Sequence, residues 1–351
     1  MKILYGLCGE GMGHAMRSAV VARHIISRGH SLEFVCSSGR AFEYMAGKWP
    51  GRVHRVAGLS SVLEGNSISP FKTLAKNFIA QTIASPFAHL GALIGISRPD
   101  AVISDFDPWT ARYAGLSNIP LLAIDNIHFM NRFDHPKEMI GSDRRAASMM
   151  FPIVSEMVPS ADRYLVTSFV NAPVRMPRTT LHLPILREEL LSKSKTRGEH
   201  VVVYLNDKAD ASRVIGVLRG TKGSFKVYGA PTQVPGGNVE VVPFSPLGFM
   251  TDLASSRAVI GGAGFTLMTE AIYSGKPMMA LPFEGQFEQI LNANYLQGMG
   301  YGERAGVISV GSVERFLSRE ETYRARLSSV QHDGNRGLLG AVDGWLQRWA
   351  A

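Results

Sequence analysis

Residues 8–14 read CGEGMGH, with glycines at positions 9, 11 and 13 and a histidine directly after the last. Glycine permits tight, often positive-φ turns and lets a ligand approach main-chain N–H groups. A titratable ring at the rim of such a loop is a candidate general base, so His14 is the first catalytic candidate and Glu10 the second. Gly11 and Gly13 would line the bay in which an acceptor lies against the backbone. A base histidine is usually held by a carboxylate. The segment SDFDPW offers Asp105 at the end of an apolar run, and Asp107 follows on the same side by strand parity. Asp-x-Asp is also the spacing of a metal-binding pair, but three letters are a weak signal, and no His/Cys spacing suggests zinc. The expected metal set is none. A further polar cluster, IDNIHFMNRFDH, adds Asp125, Asn126, His128 and His135 as candidate lining of an acceptor pocket.

A second cluster lies at 261–293, GGAGFTLMTEAIYSGKPMMALPFEGQFEQILNA. A strand ends in GGAG and a helix opens after it. The N–H groups of Gly264, Phe265 and Thr266 at that helix start suit a diphosphate. Glu270, further into the helix, can accept from a ribose diol. Glu288 and Gln289, with Asn292 on the next helix, supply the acid and amide that fit sugar hydroxyls. The N-terminal loop spacing is GxGxG rather than GxGxxG, and no acidic residue ends the second strand, so a dinucleotide site is disfavoured.

Both clusters require strand-to-helix turns, and the chain supplies them. Apolar runs at 2–7, 31–38, 100–106 and 120–126 alternate with amphipathic stretches, the first of them at about 14–28. Runs at 200–206, 224–230, 238–244, 257–264 and 277–283 repeat the style. Such alternation predicts parallel sheets with helices on both faces. The rhythm breaks between about 165 and 195, where Pro173, Pro177 and Pro184 precede a charged segment. The expected organisation is an N-terminal domain over 1–175, a linker over 176–195, a C-terminal domain over 196–330 and a final helix over 331–351. A length of 351 residues fits two domains of ordinary size. Two cysteines, Cys8 and Cys36, both at the ends of apolar runs, fit a reduced compartment. The N-terminus lacks the long apolar core of a signal peptide, so a cytoplasmic location is expected. The net charge of +8 is spread over both halves without a basic block; it favours anionic ligands or an acidic lipid surface and argues against a nucleic-acid arm. Residues 77–96 are apolar for about the length of a bilayer span but contain Asn77, Gln81, Thr82, Ser85, Pro86 and His89. They read as a buried helix, with peripheral contact to the inner face of a membrane as the second reading.

The spaced pattern Gly262, Gly264, Glu270-Ala271, then Gly275-x-Pro277, then Pro282-Phe283, then Glu288-Gln289-x-x-Asn292-Ala293 resembles the donor signature of nucleotide-sugar glycosyltransferases with the GT-B fold. The N-terminal loop ending in Gly13-His14 resembles the acceptor loop of the MurG-type and diglyceride-glycosyltransferase branches. GEGMGHAMRS together with SDFDPW and IDNIHF looks most like a bacterial and archaeal branch of that superfamily. The resemblance implies an α/β protein of GT-B type, with two Rossmann-like domains facing a cleft and a last helix that crosses back to the first domain. It implies an inverting, metal-independent transfer of a hexosyl or N-acetylhexosaminyl group from a nucleotide-diphosphate donor, a uridine nucleotide by preference, to an acceptor hydroxyl. The nucleotide sugar is then a substrate, and no cofactor is expected. The acceptor class, whether lipid, glycan or small molecule, stays open. By the same resemblance Gly262, Gly264, Phe265 and Thr266 would lie at the diphosphate, Glu270 at the ribose, Glu288 and Gln289 at the sugar, and Phe244 and Ser245 beside the base, while His14 would be the general base. Two departures stand out. Many relatives carry a histidine or arginine eight residues before the ribose glutamate, where this chain has Gly262; Lys208 or the helix dipole alone would then meet the phosphate. The acid before Gln289 is Glu288 rather than aspartate, so sugar preference does not carry over. Two other readings share the donor site: a nucleotide-sugar 2-epimerase, whose Gly-Thr-Arg-Pro-Glu loop is absent here, and a non-catalytic nucleotide-sugar-binding protein.

Overall fold

A computed structural model describes residues 1–8, 12–37, 39–56, 63–64, 67–68, 95, 97–205, 210–230 and 237–350. The chain forms two compact units. The first comprises 1–137, 141–187 and 333–351, and the second 138–140 and 188–332.

In the first unit, β1 (Lys2–Leu7), β2 (Ser31–Cys36), β3 (Val53–Arg55), β6 (Ala101–Asp105), β7 (Leu121–Asp125), β8 (Arg163–Thr167) and β9 (Thr179–His182) form one sheet in the order β3-β2-β1-β6-β7-β8-β9. Every pairing in it is parallel. The short strands β4 (Leu63–Glu64) and β5 (Ser67–Ile68) pair separately as an antiparallel ribbon. β1, β6 and β7 are almost wholly buried, as continuous apolar runs covered by helices on both faces must be. Helix α1 (Met12–Ser27) packs Ala15, Ala19, Val21, Ala22 and Ile25 onto this sheet. The C-terminal helix, Arg336–Trp349, adds Leu338, Val342, Trp345 and Leu346 to the same core. Its Asp343 accepts from His24 Nε2 at 2.7 Å and from Arg28 at 2.8 Å, which ties it to α1.

The second unit repeats the plan. β10 (His200–Tyr204), β11 (Ser224–Tyr228), β12 (Val239–Val241), β13 (Ala258–Gly261), β14 (Met278–Ala280) and β15 (Gly302–Arg304) run in the order β12-β11-β10-β13-β14-β15. They too pair in parallel throughout. In each unit the chain leaves the first strand toward one edge and later returns to its other side. That reversal opens a crevice at the carboxyl ends of β1 and β6, and another at those of β10 and β13.

Residues 176–187, expected as the first part of a linker, belong to the first unit, where β9 pairs with β8 in the register Tyr164↔Thr179. The prolines at 173, 177 and 184 only delimit this edge strand. The division falls at Arg187/Glu188. β3, β8, β9 and β15 had no counterpart among the predicted strands. Three of them are three or four residues long and partly exposed, so no clear apolar alternation announces them. Among the described residues no helix is long and apolar enough to cross a membrane. The apolar stretch at 77–96 lies outside the described residues, residue 95 excepted.

Candidate active site

The first crevice gathers one ion-paired cluster. β1 ends at Leu7, which is in register with Asp105 at the end of β6, and Cys8 N donates to the Asp105 carbonyl at 3.0 Å. Helix α1 then carries His14 in its first turn, where Nδ1 lies 2.8 Å from Asp105 Oδ1. His14 is about one-eighth exposed, whereas Asp105 is fully buried. A carboxylate at that distance fixes the ring so that Nδ1–H donates and Nε2 is left as the acceptor nitrogen, which is the arrangement a general base needs.

Two residues that the sequence reading did not single out complete the cluster. Arg17 Nε donates to Asp105 Oδ2 at 2.7 Å and its Nη2 to Oδ1 at 2.5 Å, a two-pronged bond; Ser18 Oγ donates to Oδ2 at 3.0 Å. Arg17 Nη1 donates to Asn126 Oδ1, and its Nη2 lies 2.7 Å from His14 Nδ1. Positions 14, 17 and 18 fall on one helical face, and that three- and four-residue spacing is the signal by which they could have been found. Burial alone would raise the Asp105 carboxyl. The charges of Arg17 and His14 and their hydrogen bonds outweigh it and hold the group down to about 2.

Not every expected acceptor residue reaches a surface. Asp107 is fully buried. It caps helix Pro108–Ser117, its Oδ2 accepting from Thr110 N at 2.8 Å and Thr110 Oγ1 at 2.7 Å. Its carboxyl is pushed up to about 6, chiefly by burial and further by the Asp105 charge, although the Thr110 bonds pull the other way. Strand parity had placed it correctly in sequence, but the chain turns at Phe106, whose φ is +54°, and folds Asp107 back under Gly6. His128 is fully buried as well; its N–H and its Nδ1 both bond Asp125, at 2.8 and 2.7 Å. Asn126 is nine-tenths buried or more and serves Arg17. Asp107 and His128 are thus enclosed in the fold, and Asn126 is bonded to the cluster through Arg17. His135 lies apart, with Nε2 at the Phe129 carbonyl. Gly13 sits partly buried in the first turn of α1. Glu10 and Gly11 lie outside the described residues.

The second crevice has a different character. Tyr204 ends β10 in register with Gly261 of β13. Residues 262–264 then lead into helix Phe265–Tyr273, whose N-cap is Gly264 with no side chain to satisfy the first N–H groups. A Cβ at Gly264 would meet nothing within 4 Å, so the space beside this N-cap is clear. Gly262 and Thr266 are partly exposed beside it, Phe265 is buried, and Glu270 is buried one turn further on. Such a helix start attracts an anion through its dipole and open N–H groups. Gln289 accepts from Phe283 N at 3.0 Å through its side-chain carbonyl, which leaves its NH₂ to donate. Asn292 Nδ2 bridges Ala263 O at 3.3 Å and Glu288 Oε1 at 3.2 Å, joining the glycine turn to the helix that carries Glu288 and Gln289. At the end of β12, Phe244 is 49% exposed yet stands on an aromatic floor of Tyr204, Tyr228 and Phe249, with ring centroids 6.0–6.4 Å away. Ser245 beside it caps helix Pro246–Ser255 through Gly248 N. Lys208 lies outside the described residues.

Comparison with known proteins gives the family and the fold. A sequence profile of glycosyl transferase family 1 matches residues 1–320. An uncharacterized glycosyltransferase of Methanosarcina acetivorans is 25% identical over 383 residues, covering 98% of this chain and 96% of that protein. Among solved structures, LpCGTa in complex with UDP aligns with a TM-score of 0.70 at 14% identity, over 100% of this chain and 99% of that one. CalG4, the calicheamicin glycosyltransferase, aligns with a TM-score of 0.68 at 17% identity, over 100% and 99%. At such identities the structural likeness is one of fold, and the fold is GT-B. This chain belongs to glycosyl transferase family 1 and is a glycosyltransferase.

Proposed function

We propose that the enzyme is an inverting, metal-independent glycosyltransferase using a nucleotide-diphosphate sugar and His14 as general base. The observation that carries the reading is the His14–Asp105 bond at the carboxyl end of the first sheet. In the reaction, His14 Nε2 takes the proton of an acceptor hydroxyl. The acceptor oxygen attacks the anomeric carbon of the donor in line, and the nucleotide diphosphate leaves with the electron pair of the broken C–O bond. The helix start at Gly264, Phe265 and Thr266, with its dipole and no capping side chain, meets the charge that grows on the diphosphate, which takes the place of a metal or of the side chain absent at Gly262. Buried Glu270 accepts from the ribose, Phe244 stacks on the base, and Glu288 with the Gln289 amide holds the sugar. UDP is the favoured nucleotide, in keeping with its presence in the LpCGTa structure.

The test is a thermal-shift screen against nucleoside diphosphates and their sugars, followed by transfer assays. A donor at 100 times its Kd adds about 2.7 kcal/mol to stability. His14→Ala should keep that donor-induced shift while turnover falls by about 10²–10⁴-fold, and turnover should survive a chelator. Wild-type turnover in His14→Ala would remove the base assignment. Loss of all transfer on chelation would remove the metal-independent mechanism.

A further inference from the structure

The geometry of the His14 cluster departs from a plain histidine–carboxylate pair. Asp105 receives four donors: His14 Nδ1 and Arg17 Nη2 on Oδ1, Arg17 Nε and Ser18 Oγ on Oδ2. Arg17 is only 6% exposed. Its fork therefore consumes the charge of Asp105 inside the protein, where no water screens the pair. The same guanidinium is as close to His14 as Asp105 is, with Nη2 at 2.7 Å from Nδ1 against 2.8 Å for the carboxylate oxygen. An imidazolium at position 14 would be attracted by Asp105 and repelled by Arg17 across nearly equal distances, so the two effects largely cancel. Two further titratable groups bear on the pair through Arg17. Asp125, at the end of β7, and the Tyr5 hydroxyl act on Arg17. Glu10 lies outside the described residues.

We propose that Arg17 is a positioning residue for the transfer reaction: its fork fixes Asp105, and its charge against His14 Nδ1 offsets the pull of the carboxylate, so that the ring is held in place with Nε2 directed away from the pair. Asp105 then acts on His14 chiefly as an orienting acceptor of the Nδ1 proton. The inference rests on His14 being the general base, but its physical content is testable without turnover.

The experiment is a side-chain NMR titration of ¹⁵N-histidine-labelled protein, with His14 assigned by loss of its signal in His14→Gln. Arg17→Met leaves the carboxylate unopposed and should make His14 hold its proton about tenfold or more tightly than in wild type. Asp105→Asn leaves the guanidinium unopposed and should move the midpoint the other way by a similar factor. The double variant Arg17→Met/Asp105→Asn removes both charges and should return His14 close to the wild-type midpoint; it also keeps the test open if a single variant fails to fold. Arg17→Lys keeps a cation without the fork, so it should leave the midpoint near wild type while lowering kcat through lost orientation. In active variants the acid limb of kcat/KM should follow the NMR midpoint. Single variants that fold and leave the His14 midpoint unmoved, or a double variant whose midpoint lies far from wild type, would overturn the proposal. If the NMR shifts appear but His14→Ala transfers sugar at the wild-type rate, the electrostatic role of Arg17 stands and the general-base reading falls.

Discussion

Asp107→Asn tests the reassignment of a residue that its sequence position places in the acceptor pocket. The wild-type side chain is fully buried; its Oδ2 takes two bonds from Thr110, and its Oδ1 has no hydrogen-bond partner among the described residues. Burial pushes the carboxyl up to about 6. The folded protein thus binds this proton more tightly than the unfolded chain does. The stability this residue contributes falls as pH rises from about 4 to about 6 and is level above. At pH 8 the cost of the buried charge is about 3 kcal/mol relative to strong acid, of which about 2 kcal/mol accrues between pH 4 and pH 8. Asparagine can keep the helix cap, since its carbonyl can accept from Thr110 N about as well as a carboxylate does. Its NH₂ would occupy the place of Oδ1 and cost about 1–3 kcal/mol for unpaired donors. That cost is independent of pH and cancels when two pH values are compared. Urea unfolding of both proteins at pH 4 and pH 8, with unchanged m-values, should therefore show the variant gaining about 2 kcal/mol on wild type between the two pH values. Acceptor KM should not change. Parallel stability curves would mean that the carboxylate is not held in a charge-averse pocket. A raised acceptor KM in a protein of normal stability would put Asp107 back in the acceptor site.

Three further outcomes follow from the same geometry. A Cβ at Gly6 would lie 2.0 Å from Thr110 Oγ1 and 2.5 Å from Asp107 Oδ2, so Gly6→Ala should cost about 3 kcal/mol in urea unfolding; a cost under about 0.5 kcal/mol would show that the helix start can move aside. Phe244→Ala should weaken nucleoside-diphosphate binding about tenfold by calorimetry, within the 1–3 kcal/mol typical of stacking one base on an aromatic ring, with a melting temperature close to wild type because the ring is half exposed; unchanged affinity would remove Phe244 from the base site. Asp105 is held down to about 2; its ionised form contributes about 2 kcal/mol that is complete above pH 4 and disappears as pH falls through 2. Acid unfolding followed by circular dichroism should show this limb in wild type and lack it in Arg17→Met/Asp105→Asn.

Much of this protein is written locally. The strands KILYGL, AVISD and HVVVY announce themselves as continuous apolar runs because helices cover both faces of a parallel sheet. The glycine turn before helix Phe265–Tyr273 is equally legible, since glycines directly before a helix leave its start without a capping side chain, and that is a property of contiguous residues. The His14–Asp105 pair was readable at a separation of 91 residues, because alternation of strands and helices sends both to the same end of one sheet.

What the sequence could not decide is which neighbours share a pocket once the chain has closed. β9 lies among prolines and reads as linker, and only its pairing with β8 makes it an edge strand. Strand parity put Asp107 beside Asp105, yet a single positive-φ residue, Phe106, turned it inward to cap a helix. His128 reads as a surface-lining histidine and is a buried partner of Asp125. Arg17 looks like one more helical arginine until β6 and β7 bring Asp105 and Asn126 against it from 88 and 109 residues away. Periodicity and turn chemistry are properties of contiguous residues and survive in the bare sequence. Burial and charge pairing depend on distances between strands, and the tertiary fold alone sets those distances.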